Sequence, residues 1–323
     1  MAMTSDQAVE LLRAAGEPTR LRILALLARE ELAVLELTRI LGQSQPRVSR
    51  HLKLLAEAGL VERFPDGAWV FYRLVGAGAS RALIDQALAL ISPTDATLRR
   101  DADRLIAIAA ERAGEAARYF ADNAERWDEI RSLYTSEAAV EAAIVEAAGD
   151  GPFRRVVDLG SGTGRMLTLL GERARSAVGL DLSRQMLNIA RTHVAEAGLA
   201  GCELRHGDIL GTGLADGEAD LVVVHQVLHY LSEPAAAVAE AARIVSPGGR
   251  LLIVDFAPHD LEFLRVEHQH RRLGFFDDEM ERWLVAAGLG RIVGTALPPS
   301  APGGLTVKIW TAEKTTQRLR RVG

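Results

Sequence analysis

Residues 156–164 read Val-Val-Asp-Leu-Gly-Ser-Gly-Thr-Gly, and this stretch decides the fold. A β-branched apolar pair runs into an acid and three alternating glycines, and residues 165–170 then read as a helix. The pattern predicts a strand, a tight turn and a helix N-terminus, which is where an open α/β sheet binds a small ligand. Glycine lets the backbone approach that ligand closely, and the helix N-terminus offers N–H groups and partial positive charge.

The spacing of the glycines indicates which ligand is bound. A dinucleotide fingerprint, G-x-G-x-x-G, counted from Gly160 would require glycine where the chain has Arg165. The pattern present from Asp158 to Gly164 is D-x-G-x-G-x-G, which resembles motif I of the class I S-adenosylmethionine-dependent methyltransferases. The resemblance implies that the loop cradles the methionine part of the ligand and that the acid helps to hold its amino group.

Two further strand patterns end in an acid. Residues 177–183 predict a buried parallel strand that ends at Asp181, 23 residues after the acid of the first motif. This is near the ~20-residue spacing at which a carboxylate meets ribose hydroxyls, and a carboxylate can accept from both hydroxyls. Capping of the following helix is the alternative role. In residues 203–209 the resemblance gives Asp208 the adenine amino group and places Ile209 near the ring.

The remaining motifs of this half complete the same fold. Residues 219–224 predict a central strand that ends in His225-Gln226, which lies beside the reacting sulfonium in methyltransferases. No Asn/Asp-Pro-Pro-aromatic sequence follows, which disfavours methylation of a base or amide nitrogen. Residues 242–255 match the helix, Pro-Gly-Gly turn and strand that come next, and residues 305–311 would form a last antiparallel strand. The resemblance implies an α/β, Rossmann-like, seven-stranded domain.

Residues 124–128 resemble the N-terminal helix of methyltransferases similar to the ubiquinone and menaquinone C-methylases, a helix that often caps the ligand. Trp127 and Tyr134 would line the pocket there, with core packing as the alternative. The ligand would be S-adenosylmethionine or S-adenosylhomocysteine. Its predicted contacts are Asp158, Gly160, Ser161, Gly162, Gly164, Asp181, Leu182, Gly207, Asp208, Ile209, His225 and Gln226.

Catalytic residues are harder to predict, because methyl transfer from a sulfonium is a direct displacement in which positioning supplies most of the acceleration. A histidine that titrates near neutral pH could deprotonate an acceptor hydroxyl. The predicted catalytic histidines are His225, His229, His268 and His270, and further acid–base candidates are Asp255 and His259. Hydrogen-bonded histidines on a helix face are the alternative. No metal site is expected, because His268 and His270 lack thiolate partners and zinc-ligand spacing.

The N-terminal part of the chain predicts a winged helix-turn-helix. Residues 34–41, the turn 42–46 and residues 47–58 give a helix, a short glycine-containing turn and a second helix. Residues 61–64 and 69–74 then read as two strands around a Pro-Asp-Gly-Ala turn.

Local charge favours DNA binding by this part. Between residues 39 and 73, six basic side chains stand against three acidic ones, although the whole chain has a net charge of −5. Polar and basic types cluster at the start of the second helix, and such types contact base edges and phosphates. A solvated helix face is the alternative for any one of them. The predicted contacts to operator double-stranded DNA are Ser44, Gln45, Arg47, Ser49, Arg50, His51, Lys53 and Arg63.

Residues 17–24, residues 48–55 and Gly59-Leu60-Val61 closely resemble the ArsR/SmtB family of dimeric bacterial repressors. The resemblance implies a homodimer. Arsenic- and cadmium-sensing members carry a Cys-x-Cys pair where this chain has Ala33 and Leu35. Because neither residue offers a thiolate, sensing of a metal is disfavoured and another signal must be read.

The stretch between the two halves predicts helices. Residues 80–91 form an apolar helix that packs at the dimer interface in this family, and residues 92–95 mark a break. Apolar residues then recur three or four apart from Leu98 to Phe120, which fits either a coiled-coil seam or a helix packed on its own domain. The predicted organisation is a winged helix domain at 1–92, a helical linker at 93–123 and a methyltransferase-like domain at 124–323.

Composition predicts a soluble cytoplasmic protein. A chain of 323 residues favours two domains, and 48% hydrophobic with 25% charged residues is typical of globular proteins. The single cysteine, Cys202, cannot form an intrachain disulfide and fits a reducing compartment. No apolar run reaches membrane-spanning length, and charged residues interrupt the N-terminus where a signal peptide would be apolar.

Two functions are compatible with these motifs. The first is a transcriptional repressor whose methyltransferase-like domain binds S-adenosylmethionine or S-adenosylhomocysteine as effector, similar to the ArsR-family regulators of methionine-cycle genes. The second is a working small-molecule methyltransferase that carries its own DNA-binding domain. The fusion and the missing thiolates favour the first, and whether the domain turns over stays open at this point.

Overall fold

The computed structural model describes residues 4–76, 78–127, 137–299 and 303–315. The chain divides into two compact units, Met1–Gly114 and Glu115–Gly323. The boundary between the units falls inside one continuous helix, Ala96–Asn123. The predicted division at residues 93 and 124 therefore stays a prediction, and Tyr134 lies outside the described residues.

The N-terminal unit is a helical domain with a small antiparallel sheet. The strands pair in the order β1-β3-β2. Its helices are α1 Ser5–Ala15, α2 Pro18–Leu27, α3 Val34–Leu41, α4 Gln45–Glu57, α5 Ala79–Ala89 and the first part of α6 Ala96–Asn123. Its strands are β1 Leu32–Ala33, β2 Val61–Asp66 and β3 Trp69–Leu74.

Helices α3 and α4 form the predicted helix-turn-helix, with two small corrections. Helix α4 begins at Gln45, two residues before the predicted start, because Pro46 is tolerated in the first turn of a helix. Strand β2 continues through Pro65 to Asp66, so that the turn is shorter than predicted. Proline is accepted there because β2 is an edge strand, whose outward N–H needs no partner in the sheet.

Helix α6 packs on the N-terminal unit through its first half, as in the second of the two alternatives for this stretch. Leu105 and Ile108 are buried in the same core as residues of α1 to α4 and the wing. Asp101, on the same helix face, is also buried and accepts from the guanidinium of Arg22 at 2.6 and 2.7 Å. Leu105, which belongs to the predicted apolar stripe, therefore packs within this unit.

The C-terminal unit is an α/β domain. Its strands are β4 Phe153–Leu159, β5 Ala174–Asp181, β6 Cys202–His206, β7 Ala219–His225, β8 Val245–Phe256, β9 Leu289–Leu297 and β10 Val307–Lys314. Its described helices after α6 are α7 Glu137–Ala148, α8 Arg165–Leu170, α9 Arg184–Glu196, α10 Pro234–Ile244, α11 Phe263–Glu267 and α12 Asp277–Ala286.

The described strands of this unit form one seven-stranded sheet in the order β6-β5-β4-β7-β8-β10-β9. Strands β4 to β8 pair in parallel, and β10 runs antiparallel to both β8 and β9. The chain leaves β4 towards β5 and returns beside it as β7, so the direction of winding switches between β4 and β7. The crevice at such a switch point, outside the carboxyl ends of the strands, is where doubly wound sheets bind ligands.

Alternating strand residues bury both faces of the sheet. Val157 and Leu159 join the core under α10 and α12, while Val156 joins the core under α7 and α8. Burial on both faces explains the nearly continuous apolar strands in the sequence. One expected turn is corrected: β8 begins directly after α10, and residues 246–249, which contain Pro-Gly-Gly, bulge out of it opposite Asp220.

Within the described part of the chain, no helix combines the length and apolarity needed to cross a lipid bilayer.

Candidate functional site

The glycine loop lies at the carboxyl end of β4 and is held over the neighbouring strand. The N–H groups of Gly160 and Ser161 both donate to the carbonyl of Leu180, at 2.7 and 3.0 Å. The N–H of Gly164 closes the loop by donating to the Ser161 carbonyl at 2.8 Å. Helix α8 begins at the next residue, so the loop presents a helix N-terminus at the switch point.

The glycines are required for different reasons. A Cβ at Gly160 would overlap the side chain of Val227, so the turn after β7 can approach the loop only because this residue has none. A Cβ at Gly164 would lie 3.1 Å from that of Ala190, so this glycine permits close packing of α9. A Cβ at Gly162 would meet only the Trp127 indole, at 3.5 Å from Nε1. The backbone at Gly162 is therefore the part of the loop that a ligand can approach.

Asp181 ends β5 beside this loop. Its Oδ2 accepts from the Gly162 N–H at 2.8 Å, and its Oδ1 accepts from the Ser183 N–H at 2.7 Å. Each carboxylate oxygen has two lone pairs, so both can accept a further hydrogen bond from a ligand hydroxyl. Burial raises the pKa of Asp181, although the backbone hydrogen bonds act in the opposite direction. The cap of α9 is the hydroxyl of Ser183, which accepts from Met186, so Asp181 does not serve as that cap.

The predicted adenine side of the site follows β5 and β6. The Gly207 N–H donates to the Asp181 carbonyl at 3.0 Å, which brings the residues after β6 next to Asp181. Asp208 is exposed, and its Oδ1 accepts from the Leu210 N–H at 2.9 Å. Leu182 leaves 59% of its surface exposed, whereas Ile209 lies in the core. Leu182 therefore offers the larger apolar surface for a planar ring.

Two predicted ligand residues of the β4 motif are buried. Asp158 is the last residue but one of β4 and lies in the sheet interior. Burial of the Cys202 thiol raises its pKa to about 11, and the nearby charge of Asp158 adds a smaller part of this effect. The Ser161 hydroxyl is also buried, with no hydrogen-bond partner among the described residues. The contact of Asp158 with a ligand amino group stays a prediction.

The turn after β7 brings some of the predicted histidines together. His225 ends β7 and is half-buried. The His229 and His270 rings lie 4.1 Å apart between centroids, and the His268 ring lies 6.5 Å from that of His270. Gln226 is buried and adopts a left-handed conformation with φ of 53°, which is unfavourable for a residue with a side chain.

Aromatic rings extend this group towards the glycine loop. The centroid of the Tyr230 ring lies 4.1 Å from that of His229, and the centroid of the Phe120 ring lies 4.8 Å from that of Tyr230 and 5.3 Å from that of Trp127. The hydroxyl of Tyr119 bonds to Nδ1 of His268 at 2.7 Å. We call this set the aromatic cluster; it comprises Tyr119, Phe120, Trp127, His229, Tyr230, Phe256, His268 and His270.

Tyr119 and Tyr230 were not expected from the sequence. Tyr230 follows a predicted catalytic histidine directly, and this adjacency was an available signal. Tyr119 contacts a histidine 149 residues later in the chain, and no local pattern indicates such a pairing.

Among the residues that the structure describes, no group of three or more His, Cys, Asp or Glu side chains is placed to hold a metal ion.

The candidate DNA interface lies on α4 and β2. Seven of the predicted contacts belong to α4 or directly precede it, and Arg63 lies on β2. Helix α4 is amphipathic: Val48, Leu52 and Leu55 form its buried face, and the opposite face is polar. Ser49 and His51 are half-buried, and the exposed residues are Ser44, Gln45, Arg47, Arg50, Lys53 and Arg63.

His51 differs from the other residues of this interface. Its Nδ1 lies 3.5 Å from Oε2 of Glu17, the residue that caps α2. Burial lowers the pKa of His51, with a further lowering from nearby arginines and an opposing effect of Glu17. The surroundings of His51 in the protein therefore favour the neutral form of the ring.

Comparisons with known proteins match both units. Residues 17–63 match the family model for the bacterial regulatory protein, arsR family, and residues 157–253 match the model for a methyltransferase domain. The ubiquinone biosynthesis O-methyltransferase of Methylococcus capsulatus is 31% identical over 137 residues, which cover 40% of this chain and 56% of that protein. The demethylmenaquinone methyltransferase of Thermus thermophilus is 33% identical over 150 residues, covering 43% and 64%. The chain thus spans between about half and two thirds of these relatives.

A solved structure shows the same fold at low sequence identity. Geranyl diphosphate methyltransferase, in complex with GPP and sinefungin, superposes with a TM-score of 0.53 at 15% identity, covering 64% of this chain and all of that one (100%). The likeness concerns the fold alone. The chain therefore carries an ArsR-family helix-turn-helix at residues 17–63 and a methyltransferase domain at residues 157–253 on a class I methyltransferase fold.

Proposed function

We propose that the chain is an ArsR-type transcriptional repressor, acting as a homodimer, whose C-terminal unit binds S-adenosylmethionine or S-adenosylhomocysteine as effector. The observation that carries the regulator assignment is the state of the arginines on α4. Arg22 of the same unit is neutralised by Asp101 at 2.6 Å. Arg47 and Arg50 are exposed and form no ion pair within the described residues. Unpaired arginines on one exposed helix face are suited to phosphate and base contacts.

The effector assignment rests on the residues at the switch point. The Gly162 backbone, the Asp181 carboxylate and the exposed Leu182 offer a close approach, acceptors for two hydroxyls and an apolar surface. An adenosyl-sulfur ligand has ribose hydroxyls and a planar base that match these groups, and it has no pyrophosphate. The two relatives described above are named methyltransferases. When bound, S-adenosylmethionine supplies an electrophilic methyl group.

Helix α6 gives the ligand a route to influence DNA binding. Leu105 and Ile108 of this helix lie in the N-terminal core, while Tyr119 and Phe120 belong to the aromatic cluster beside the glycine loop. A ligand that alters the packing of the cluster acts on a helix that also belongs to the DNA-binding unit. Any effect of ligand on DNA affinity must be matched by the same effect of DNA on ligand affinity.

The test is a titration of the purified protein on the DNA upstream of its own gene, at one fixed salt concentration because phosphate contacts depend on salt. We expect a footprint over an inverted repeat with half-sites ~10 bp apart, and an affinity that changes with S-adenosylmethionine or S-adenosylhomocysteine. Methionine-cycle genes are the expected targets. Binding that is the same with and without both ligands would contradict the effector assignment.

A second function is favoured by one specific observation. His229 and Asp255 form a buried hydrogen-bonded pair at the ligand edge of the sheet, which a passive receptor does not require. An active small-molecule methyltransferase would use such a pair. Transfer of labelled methyl groups, measured in the same preparation as the footprint, distinguishes an enzyme from a receptor.

A further inference from the structure

The inference concerns an imidazole–carboxylate pair at the carboxyl ends of β7 and β8. His229 lies in the turn after β7, and Asp255 is the last residue but one of β8. Nδ1 of His229 and Oδ1 of Asp255 are 2.8 Å apart, and the two side chains are 1% and 0% exposed. The pair therefore lies inside the protein at the edge of the sheet that carries the glycine loop.

Asp255 is held in one orientation by the backbone. Its Oδ1 accepts from the Phe256 N–H at 2.8 Å, and its Oδ2 accepts from the His229 N–H at 3.3 Å. An ionised carboxylate only accepts hydrogen bonds, so the proton of the shared bond belongs to Nδ1 of His229. The other ring nitrogen, Nε2, then carries a lone pair. The carboxylate therefore fixes the tautomer in which Nε2 can accept a proton.

Nε2 of His229 is the unusual atom. It is shielded from solvent and has no hydrogen-bond partner among the described residues. A buried polar atom is nearly always satisfied in a native structure, and an exception requires an explanation. The rings packed around His229 are those of Tyr230, Phe256 and His270, and none of them donates to Nε2 within the described residues. A ligand hydroxyl would satisfy this atom.

The titratable neighbours of His229 do not compete for the same proton. Burial holds the pKa of Tyr230 well above its usual range, and Tyr119 and Asp255 add to the effect. Burial lowers the pKa of His270, with further lowering from His229, His259, His268 and Arg265. The pKa of His259 is lowered to about 4, chiefly by burial. Near neutral pH the phenol and both imidazoles are uncharged, so Asp255 is left to balance a charge on His229.

The turn that carries His229 is also under backbone strain. Gln226 adopts φ of 53°, and its N–H donates to the Val254 carbonyl at 2.7 Å. Strained residues of this kind persist only where the surrounding structure holds them, and they concentrate at active sites. The next residue, Val227, packs against Gly160 of the glycine loop. The strain thus lies between the ligand loop and the imidazole.

We propose that His229 is a general base for a methyl acceptor that bears an acidic hydroxyl, a phenol or an enol, on a planar apolar body. Trp127, Phe120 and Tyr230 offer aromatic surface to such a body. The proposal rests on the adenosyl-sulfur ligand of the proposed function. The acceptor proton goes to Nε2, and the acceptor oxygen forms a bond to the methyl carbon. The C–S bond of the donor breaks, its electron pair stays on sulfur as a neutral thioether, and Asp255 balances the imidazolium.

The first test uses no methyl transfer. Full-length protein with bound S-adenosylhomocysteine is titrated into 4-nitrophenol at a pH where the free probe is mostly protonated, and the absorbance of the phenolate is recorded. We expect a saturable phenolate signal that corresponds to an acid dissociation constant of the probe at least tenfold larger, that is, to an apparent pKa lowered by one unit or more. His229→Gln and Asp255→Asn should abolish it. Asp220→Asn, which changes a carboxylate beside Arg154 at the opposite end of β7, is the control and should retain it.

The outcomes separate the two proposals. Calorimetry of S-adenosylhomocysteine on the same variants should show unchanged affinity, because His229 acts on the acceptor. Failure of the wild-type protein to bind S-adenosylhomocysteine overturns the proposed function. If S-adenosylhomocysteine binds normally but no phenolate signal appears, or if His229→Gln gives an equal signal, the general-base role of His229 is overturned.

A second measurement needs no substitution. In ¹⁵N-resolved spectra of the wild-type imidazoles, His229 should carry its proton on Nδ1, and its Nε2 should gain a proton when 4-nitrophenol binds. A proton on Nε2 in the free protein overturns the proposal. With the probe as acceptor, the rate of methyl transfer by the wild-type protein should fall towards acid pH, and a pH-independent rate overturns a base role.

Discussion

Asp181 is the residue on which we expect ligand binding to depend most directly. It satisfies the N–H groups of Gly162 and Ser183 and still has a lone pair on each oxygen. Asp181 is placed by its position at the end of β5, and the hydrogen bond from the Gly162 N–H orients its carboxylate. One carboxylate therefore shapes the loop and has acceptors left over for the proposed ligand.

We expect Asp181→Asn to weaken binding of S-adenosylhomocysteine by about tenfold to a hundredfold, because hydrogen bonds to a charged acceptor contribute roughly 1.5–3 kcal/mol. An amide has only one acceptor atom, so it cannot serve two hydroxyls and two backbone N–H groups. Calorimetry measures the change. Asp220→Asn, at the opposite end of the sheet beside Arg154, is the control and should bind normally. Equal affinity of both variants would place the ribose elsewhere.

At the scale of elements, α6 is bound to the rest of the N-terminal unit by ion pairs and apolar contacts. Asp101 is buried against Arg22, and Arg112 of the same helix reaches Glu30 at 2.9 Å as well as Glu36. Leu105, one helical turn after Asp101, lies in the hydrophobic core of this unit. The helix is therefore part of the unit and not only a connection.

Asp101→Asn should destabilise the N-terminal unit by about 3–5 kcal/mol, because it leaves the partly buried charge of Arg22 without a counter-charge. Denaturant unfolding followed in this unit provides the measurement. Asp103→Asn is a matched control on the exposed side of the same helix and should change stability by no more than ~0.5 kcal/mol. A loss of similar size in both variants would mean that the ion pair contributes nothing specific.

At the scale of the whole molecule, Gly114 marks the place where α6 passes from one unit to the other. It is exposed, and a side chain there would meet no atom within 4 Å. Substitutions at Gly114 therefore change the helix without disturbing either core. This makes the residue suitable for a test of communication between the units.

We expect Gly114→Pro to abolish the effect of ligand on DNA affinity while each unit keeps its own binding, because proline inside a helix costs about 3 kcal/mol and interrupts it. Gly114→Ala strengthens the helix by about 1 kcal/mol and should preserve the effect. The readout is the ratio of DNA dissociation constants with and without ligand. A proline variant that responds normally would rule out α6 as the route.

Much of this architecture could be predicted from local patterns. The glycine loop, the acids that end β5 and follow β6, and the amphipathic α4 each depend on a few consecutive residues. Backbone conformation and hydrophobic periodicity act over the same short range. The boundaries were less certain, as the extension of β2 through Pro65 shows, because strand ends depend on the partner strand.

The sequence by itself determined which strands are buried, where the turns lie and which helix is basic, since each follows from neighbouring residues. Only the tertiary structure decided which distant groups meet. Arg22 and Asp101 are 79 residues apart, and His229 and Asp255 are 26 apart on strands that become neighbours only in the sheet. Pairing of this kind depends on strand order and helix packing, for which a single sequence carries no local signal.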